Sequence, residues 1–404
     1  MNKRNQWKRI SVLILALSLL LPFAAPAFAQ AAGPETAGSG VKLLCLNIGK
    51  ADCFLLFSGD TRWLVDAGYE QNYPALEAAL KEYQVDRLDG VFLTHCHEDH
   101  EGGLLPLAKS DTPVSAWYAA KIFYDVKDGE HPAVLAAKER GEAVTWLSAG
   151  DVIQAGADAA FTVLGPLEVN EENENNNSLV LRFDSPAGSI LFCGDMKTAE
   201  EEDLLSAGTL TPCTLLKAGH HGDGGTLKDR FLKAVRPQAA VISTSAAEEA
   251  DTPAESTLLK LKNAACETFV TQDFHDALLL TLSGGKVRGA DDVAWTGVPP
   301  RIEGITLEID AGEDTVTLTN TAGNAVSLDG YLLFSTKGDE RLPLSGLTLE
   351  PGGTWTVGGK KTKVPVDQTW DEKSVWSKKK RDVGVLYDPW GRPVASADNG
   401  VSEK

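Results

Sequence analysis

Seven histidines occur in this 404-residue sequence, and three of them fall within the six residues His95-Cys96-His97-Glu98-Asp99-His100. The run follows an apolar stretch, Asp89-Gly90-Val91-Phe92-Leu93-Thr94, that reads as a strand. It precedes Glu101-Gly102-Gly103-Leu104-Leu105, which reads as a helix start. Imidazoles two residues apart leave an extended segment on one side and can grip one cation together. Asp99 and His100 then sit where the chain turns, aimed at a second, neighbouring position. A carboxylate beside neutral imidazoles suits zinc, manganese or iron. Cys96, between two ligands, is expected to point away and pack. His131 and His275 have no motif around them and read as ordinary surface or core residues.

Elements that could position these groups alternate along residues 42–288. Short apolar runs predict strands at 42–47, 53–57, 62–66, 90–94, 178–183, 189–193, 214–217 and 239–243. Helical patterns lie at 73–83, 103–109, 132–140, 199–206, 227–235 and 254–263. Strands alternating with helices imply an α/β architecture. A polar loop, 168–177, is built of acids, amides and valine. After Pro299-Pro300 the character changes to short alternating runs split by Gly, Asp and Pro, which predict an antiparallel all-β module at 301–404.

At the N-terminus, Lys3, Arg4, Lys8 and Arg9 precede an apolar run and then Ala27-Phe28-Ala29, the order of a secretory signal peptide at 1–29. The run is short for a membrane span. The expectation is a secreted protein with no span after cleavage, beginning with a flexible lead-in at 30–40. Removing four basic residues would take the formal net charge from −19 to −23. So negative a field repels polyanions unless a local patch or a metal offsets it. Six cysteines, mostly in apolar runs, read as buried thiols, with room for one or two disulfides.

The His-rich segment resembles the metal-binding signature of the metallo-β-lactamase superfamily, and residues 42–290 resemble the competence-channel-type domain of that superfamily. Asn47-Ile48-Gly49-Lys50-Ala51-Asp52-Cys53 is similar to that family's Gly-Gln-Gly-Asp turn, with Lys50 and Ala51 as departures. Trp63-Leu64-Val65-Asp66-Ala67-Gly68 resembles the strand ending in Asp-x-Gly, and implies that Asp66 orients a ligating histidine. Leu191-Phe192-Cys193-Gly194-Asp195 resembles the element whose aspartate bridges two metals. Leu216-Lys217-Ala218-Gly219-His220-His221-Gly222 resembles the stretch that supplies a ligand to the second metal, leaving open which histidine binds.

The resemblance therefore implies a ligand set of His95, His97, Asp99, His100, Asp195 and His220 or His221. Two divalent ions, zinc first and manganese second, would generate a hydroxide, with Asp99 and Asp195 as catalytic carboxylates. One ligating histidine of most superfamily members is missing, since no His lies between His131 and His220. The competence-type relatives carry an Asn-rich turn there, and Asn175-Asn176-Asn177-Ser178 fits it. Asn176 and Asn177 are expected to support the ligands, and the site of His95, His97 and Asp195 to hold zinc weakly or to take manganese.

The implied organisation is an αββα metallo-β-lactamase sandwich at 41–298, then an immunoglobulin-like sandwich at 301–404 that resembles lamin-tail domains. That second resemblance rests on Val316-Thr317-Leu318-Thr319-Asn320, Val326-Ser327-Leu328-Asp329-Gly330-Tyr331, Leu349-Glu350-Pro351-Gly352 and Val385-Leu386-Tyr387-Asp388. Four tryptophans of this module, Trp355, Trp370, Trp376 and Trp390, suit core packing, and Lys378-Lys379-Lys380-Arg381 could meet phosphates or a surface polymer. Three functions stay open: a phosphodiesterase or nuclease, a hydrolase of a small phosphocholine ester or lactone, and a surface-binding protein with a vestigial metal site.

Overall fold

In the computed structural model, residues 40–401 are described apart from 125, 127 and 128. The signal peptide expected at 1–29 and all of the lead-in but residue 40 lie outside the described residues. Strands β1 (Val41–Leu46), β2 (Cys53–Ser58) and β3 (Thr61–Ala67) pair antiparallel in turn. Helix α1 (Tyr73–Glu82) leads to β4 (Gly90–Leu93), which joins β3 in parallel. Helices α2 (Glu98–Glu101) and α3 (Leu104–Lys109) lead to β5 (Trp117–Ala120), and α4 (Pro132–Glu139) to β6 (Val144–Leu147), both again parallel.

A second sheet follows. Its strands are β7 (Val152–Gln154), β8 (Ala160–Gly165), β9 (Val180–Ser185), β10 (Gly188–Phe192), β11 (Leu215–Lys217), β12 (Ala239–Ile242) and β13 (Glu267–Val270), in that spatial order. The last four are parallel, joined by α5 (Thr198–Ala207), α6 (Asp229–Val235) and α7 (Glu255–Asn263). Strands β14 (Ala277–Ser283) and β15 (Lys286–Val293) then return to the first sheet beside β1.

Two-residue periodicity explains why these strands are apolar on both faces. In β1, Leu43 and Cys45 join Phe54, Phe92, Phe161, Phe183 and Phe192 between the sheets. The alternate residues Leu44 and Leu46 pack with Leu76 of α1 and Leu104 of α3. On the far side Val180, Leu191 and Leu216 meet Leu204, Phe231 and Leu261 of α5, α6 and α7. Each buried Leu or Phe contributes roughly 1.5–3 kcal/mol. Helices thus cover both outer faces of two packed sheets, the expected αββα sandwich. Cys45, Cys53, Cys193, Cys213 and Cys266 are buried thiols inside these apolar clusters, and no disulfide joins them.

Residues 305–398 form a β-rich unit with its own core. One sheet orders Ile305–Asp310, Thr315–Asn320, Thr354–Gly358 and Gln368–Thr369; the other orders Glu340–Pro343, Leu332–Ser335, Val383–Tyr387 and Pro393–Asp398. Val316, Leu318 and Trp355 of the first meet Leu333 and Leu386 of the second, with Trp370 and Trp376 packed among them. Trp390 is only half-buried, under the Arg392 guanidinium.

This unit docks on the first through polar contacts and through Tyr69, which packs against Phe334. Arg392 is buried and bonds Asp388 and Asp276, each at 2.7 Å. Asn72 Nδ2 donates to Gly391 O at 2.8 Å. Position 391 must be glycine, because a Cβ there would meet Gln71 O at 2.4 Å, with φ at +72°. Among the described residues no helix is long and apolar enough to cross a membrane.

Candidate metal centre

Five neighbouring strands deliver polar groups at their carboxyl ends, β3 and β4 from one sheet and β10, β11 and β12 from the other. This is where open α/β sheets place their ligands. Strand β3 ends in Asp66, held in the left-handed region at φ 57°. Beyond β4 come Thr94 and His95, and helix α2 carries Asp99 and His100 inward. Asp195 follows β10 after Gly194 at φ +49°, His220 and His221 follow β11, and Ser243 follows β12. Both His220 and His221 have positive φ, 45° and 51°. Such strain persists only where surroundings over-determine it, and it gathers at functional sites.

The side chains converge. Ligand atoms of Asp99, His100, Asp195 and His221 lie within 4.8 Å of one another, as do those of His95, His97 and Asp195. Asp195 is common to both groups. Its oxygens stand 3.2 Å from His100 Nε2, 3.4 Å from His221 Nε2 and 3.9 Å from His95 Nε2. Asp99 Oδ2 lies 3.1 Å from His221 Nε2. His220 falls outside both groups: its Nδ1 bonds Asp223 at 2.9 Å, while its Nε2 is 3.9 Å from Asp195.

Supporting bonds fix the imidazoles. Asp66 accepts from the Thr94 backbone N–H and hydroxyl, and its Oδ2 meets His100 Nδ1 at 2.8 Å. His221 Nδ1 donates to the Ser243 carbonyl at 2.7 Å. In both rings Nδ1 is engaged by these acceptors, so Nε2 turns into the cluster. Asn176 and Asn177 are not brought to the ligands. Asn176 Oδ1 accepts the N–H groups of Lys197 and Glu200 at the start of α5, and Asn177 bonds Asn170 and Glu174. The Asn-rich turn works instead through Ser178, whose hydroxyl accepts the Asp195 backbone N–H at 3.0 Å. His131 caps α4, and His275 is exposed beside Asp292.

Two participants escaped the sequence reading. Asp52, in the turn after β1, forms a buried ion pair with Lys217 and accepts from Ser243 Oγ; it also lies 3.6 Å from His100 Nδ1. Lys217 Nζ donates to Gly194 O at 2.8 Å and stands 3.6 Å from Asp195. The signal was a lysine inside the apolar strand Leu215-Leu216-Lys217-Ala218.

The donor set fits divalent cations. Four buried carboxylates (Asp52, Asp66, Asp99 and Asp195) face a single buried ammonium, Lys217. His100 Nε2 and Asp195 Oδ1 are buried without a hydrogen-bond partner although they face each other, as ligand atoms would. Burial, reinforced by His100, holds His95 well below its ordinary value, so it stays neutral. Burial also opposes protonation of His221, but Asp195 and Asp99 outweigh it and raise the group to about 9. The pocket therefore draws positive charge.

Residues 46–246 match the family model of the metallo-beta-lactamase superfamily. The chain carries a metallo-beta-lactamase domain. It is 30% identical over 159 residues to ComE operon protein 3 of Bacillus subtilis, covering 39% of this chain and 20% of that protein. It is 30% identical over 269 residues to competence protein ComA of Neisseria gonorrhoeae, covering 66% of this chain and 34% of that one. The chain thus spans between a fifth and about a third of these relatives' length. The solved metallo-beta-lactamase fold protein YhfI from Bacillus subtilis matches 62% of this chain and 99% of its own, with a TM-score of 0.39 at 15% identity. Within this metallo-beta-lactamase domain, two groups of ligand atoms share one aspartate.

Proposed function

We propose that the protein is an exported, metal-dependent phosphodiesterase acting on nucleic acid. The observation that carries this reading is the shared Asp195, which places the two groups of ligand atoms side by side. One cation would be held by Asp99, His100, Asp195 and His221, the other by His95, His97 and Asp195. When bound, such ions act as Lewis acids toward a phosphoryl oxygen and acidify water.

The protein's own groups do the rest. Asp66 and the Ser243 carbonyl hold the Nδ1 side of His100 and His221 and so keep the Nε2 atoms pointed inward. Lys217 pairs with Asp52 and stands beside Asp195, which holds both carboxylates in place. His220 is partly exposed and holds a proton on Nδ1 against Asp223, which that hydrogen bond, first among several causes, keeps well below the usual carboxylate range. Its Nε2 is then able to give or take a proton at the leaving oxygen. The β-rich module, similar in short stretches to lamin-tail domains, would hold the enzyme to its polymer substrate.

The test pairs linear DNA with bis-p-nitrophenyl phosphate, using protein loaded with zinc or manganese. Both should be hydrolysed, and Asp195→Ala should lower both rates at least ~10³-fold by removing the carboxylate that both candidate cation sites would share. Activity that survives both Asp195→Ala and a chelator would sink the reading. Cleavage of a lactone but of neither diester would move the enzyme to the small-ester class.

A further inference from the structure

The segment 360–381 carries eight basic and three acidic residues in a chain whose net charge is −19. Part of it lines a cavity of about 610 Å³ in the β-rich module, bordered by Lys361, Lys363, Lys378, Lys379 and Trp376. That size suits a ligand rather than a crevice of ordered water. All four lysines are exposed and, among the described residues, none forms an ion pair. Lys378 donates to Gly312 O at 2.6 Å, which brings its ammonium to the wall.

Two acids also line the cavity, Glu313 and Asp314. Asp314 organises the wall: its Oδ1 accepts from the Ser374 hydroxyl and from the backbone N–H groups of Val375 and Trp376. Four ammonium groups against two carboxylates leave the lining positive. A second observation points the same way. Trp376 is buried at 1% exposure, and its indole N–H has no acceptor in the protein. An orphaned donor beside four cations asks for an anionic oxygen.

The cavity is tied to the metal centre through Arg381. Its guanidinium pairs with Glu249 and donates to Glu248 O at 3.2 Å. Glu249 also lies 3.5 Å from Lys50 Nζ, and Lys50 in turn feels the charges of Asp99 and Asp195. Three residues of chain separate Lys378 from Arg381, a reach of at most ~11 Å. A duplex strand presents a phosphate every ~3.4 Å, so a few phosphates bridge that interval.

We propose that this cavity is an anion subsite that grips the phosphodiester backbone of a nucleic-acid strand whose neighbouring stretch lies at the metal centre. The proposal rests on the phosphodiesterase reading for the second half of that statement. It also accounts for how so acidic a protein engages a polyanion: attraction is concentrated in one lysine cluster and the cation sites.

The test measures binding of a fluorescein-labelled oligonucleotide to the full chain by anisotropy, with chelator present, between 50 and 200 mM salt. The variant Lys361→Ala/Lys363→Ala/Lys378→Ala/Lys379→Ala should bind at least tenfold more weakly at 50 mM. Its log K against log salt slope should fall by about 3, as expected for four lost phosphate contacts. Replacing the same four lysines by arginine should retain the slope, which separates charge from misfolding. An unchanged slope in the alanine variant overturns the proposal, as does tighter binding of a poly(glycerol phosphate) than of the oligonucleotide. Wild-type protein that binds through these lysines yet hydrolyses no diester upholds the subsite and overturns the phosphodiesterase reading alone.

Discussion

His131 separates a structural imidazole from the candidate metal ligands. It caps α4, accepting the Ala133 N–H on Nδ1, and packs between Phe123 and Trp146. Burial lowers it to about 4. Because the folded value lies below the ordinary ~6.5, its contribution is fully present above pH 6.5 and is lost as pH falls toward 4. The shift corresponds to ~3 kcal/mol in all, of which ~2 should be gone by pH 5. His131→Asn keeps a capping oxygen without the titration, so denaturant unfolding at pH 7 and pH 5 should differ less for the variant by about that ~2 kcal/mol; equal pH dependence would refute the assignment. At this scale the histidines of the cluster were legible because His95, His97 and His100 are close in sequence and must share a turn. The Asp52–Lys217 pair was not, since 165 residues separate its members and only the fold brings them together. Asn176 and Asn177 misled because an amide that braces backbone and one that touches a ligand look alike in sequence.

The short helix α2 can carry Asp99 and His100 inward only because Gly102 and Gly103 let the next turn press on the end of β3. A Cβ at Gly103 would lie 2.3 Å from the Ala67 carbonyl, a backbone atom that cannot yield cheaply. Gly103→Ala should therefore destabilise by about 1–3 kcal/mol. It should also lower zinc or manganese occupancy, because His100 moves with the helix. Thermal unfolding and metal analysis of the purified variant test this, and full occupancy with an unshifted Tm would show that the turn relaxes freely. The strands whose carboxyl ends face the cluster were readable as apolar runs, ending at Asp66, Thr94, Cys193, Lys217 and Ser243. Between Thr94 and Ser178 the sequence pattern gives no strand, yet β5 to β8 lie there. Trp117–Ala120 is short and rich in alanine, while Val144–Leu147 and Val152–Gln154 are largely exposed edge strands. None of these three has the length or the uniform apolarity by which a central strand shows itself. Ala160–Gly165, by contrast, is full-length and mostly buried but broken by Thr162.

Across the whole molecule, the sequence separates the β-rich module at Pro299-Pro300, but it is silent on how firmly the module is held. The answer lies in the buried Arg392, which joins Asp388 of its own module to Asp276 of the metallo-beta-lactamase domain, 116 residues away. It also donates to Pro299 O at 2.9 Å, which fixes the connecting segment. Net charge was equally uninformative here, because a whole-chain sum hides the lysine cluster at 360–381. Removing Arg392 alone strands two buried carboxylates, so Arg392→Met should cost about 3–5 kcal/mol. The combined variant Arg392→Met/Asp276→Leu/Asp388→Leu, which leaves no charge uncompensated, should recover part of that loss. Limited proteolysis reads the same event: the single variant should be cut in the segment between Val293 and Ile305 well before either sandwich is degraded. If Arg392→Met melts and resists protease as the wild type does, the two modules are held by their apolar contacts, Tyr69 against Phe334 among them, and not by this ion bridge.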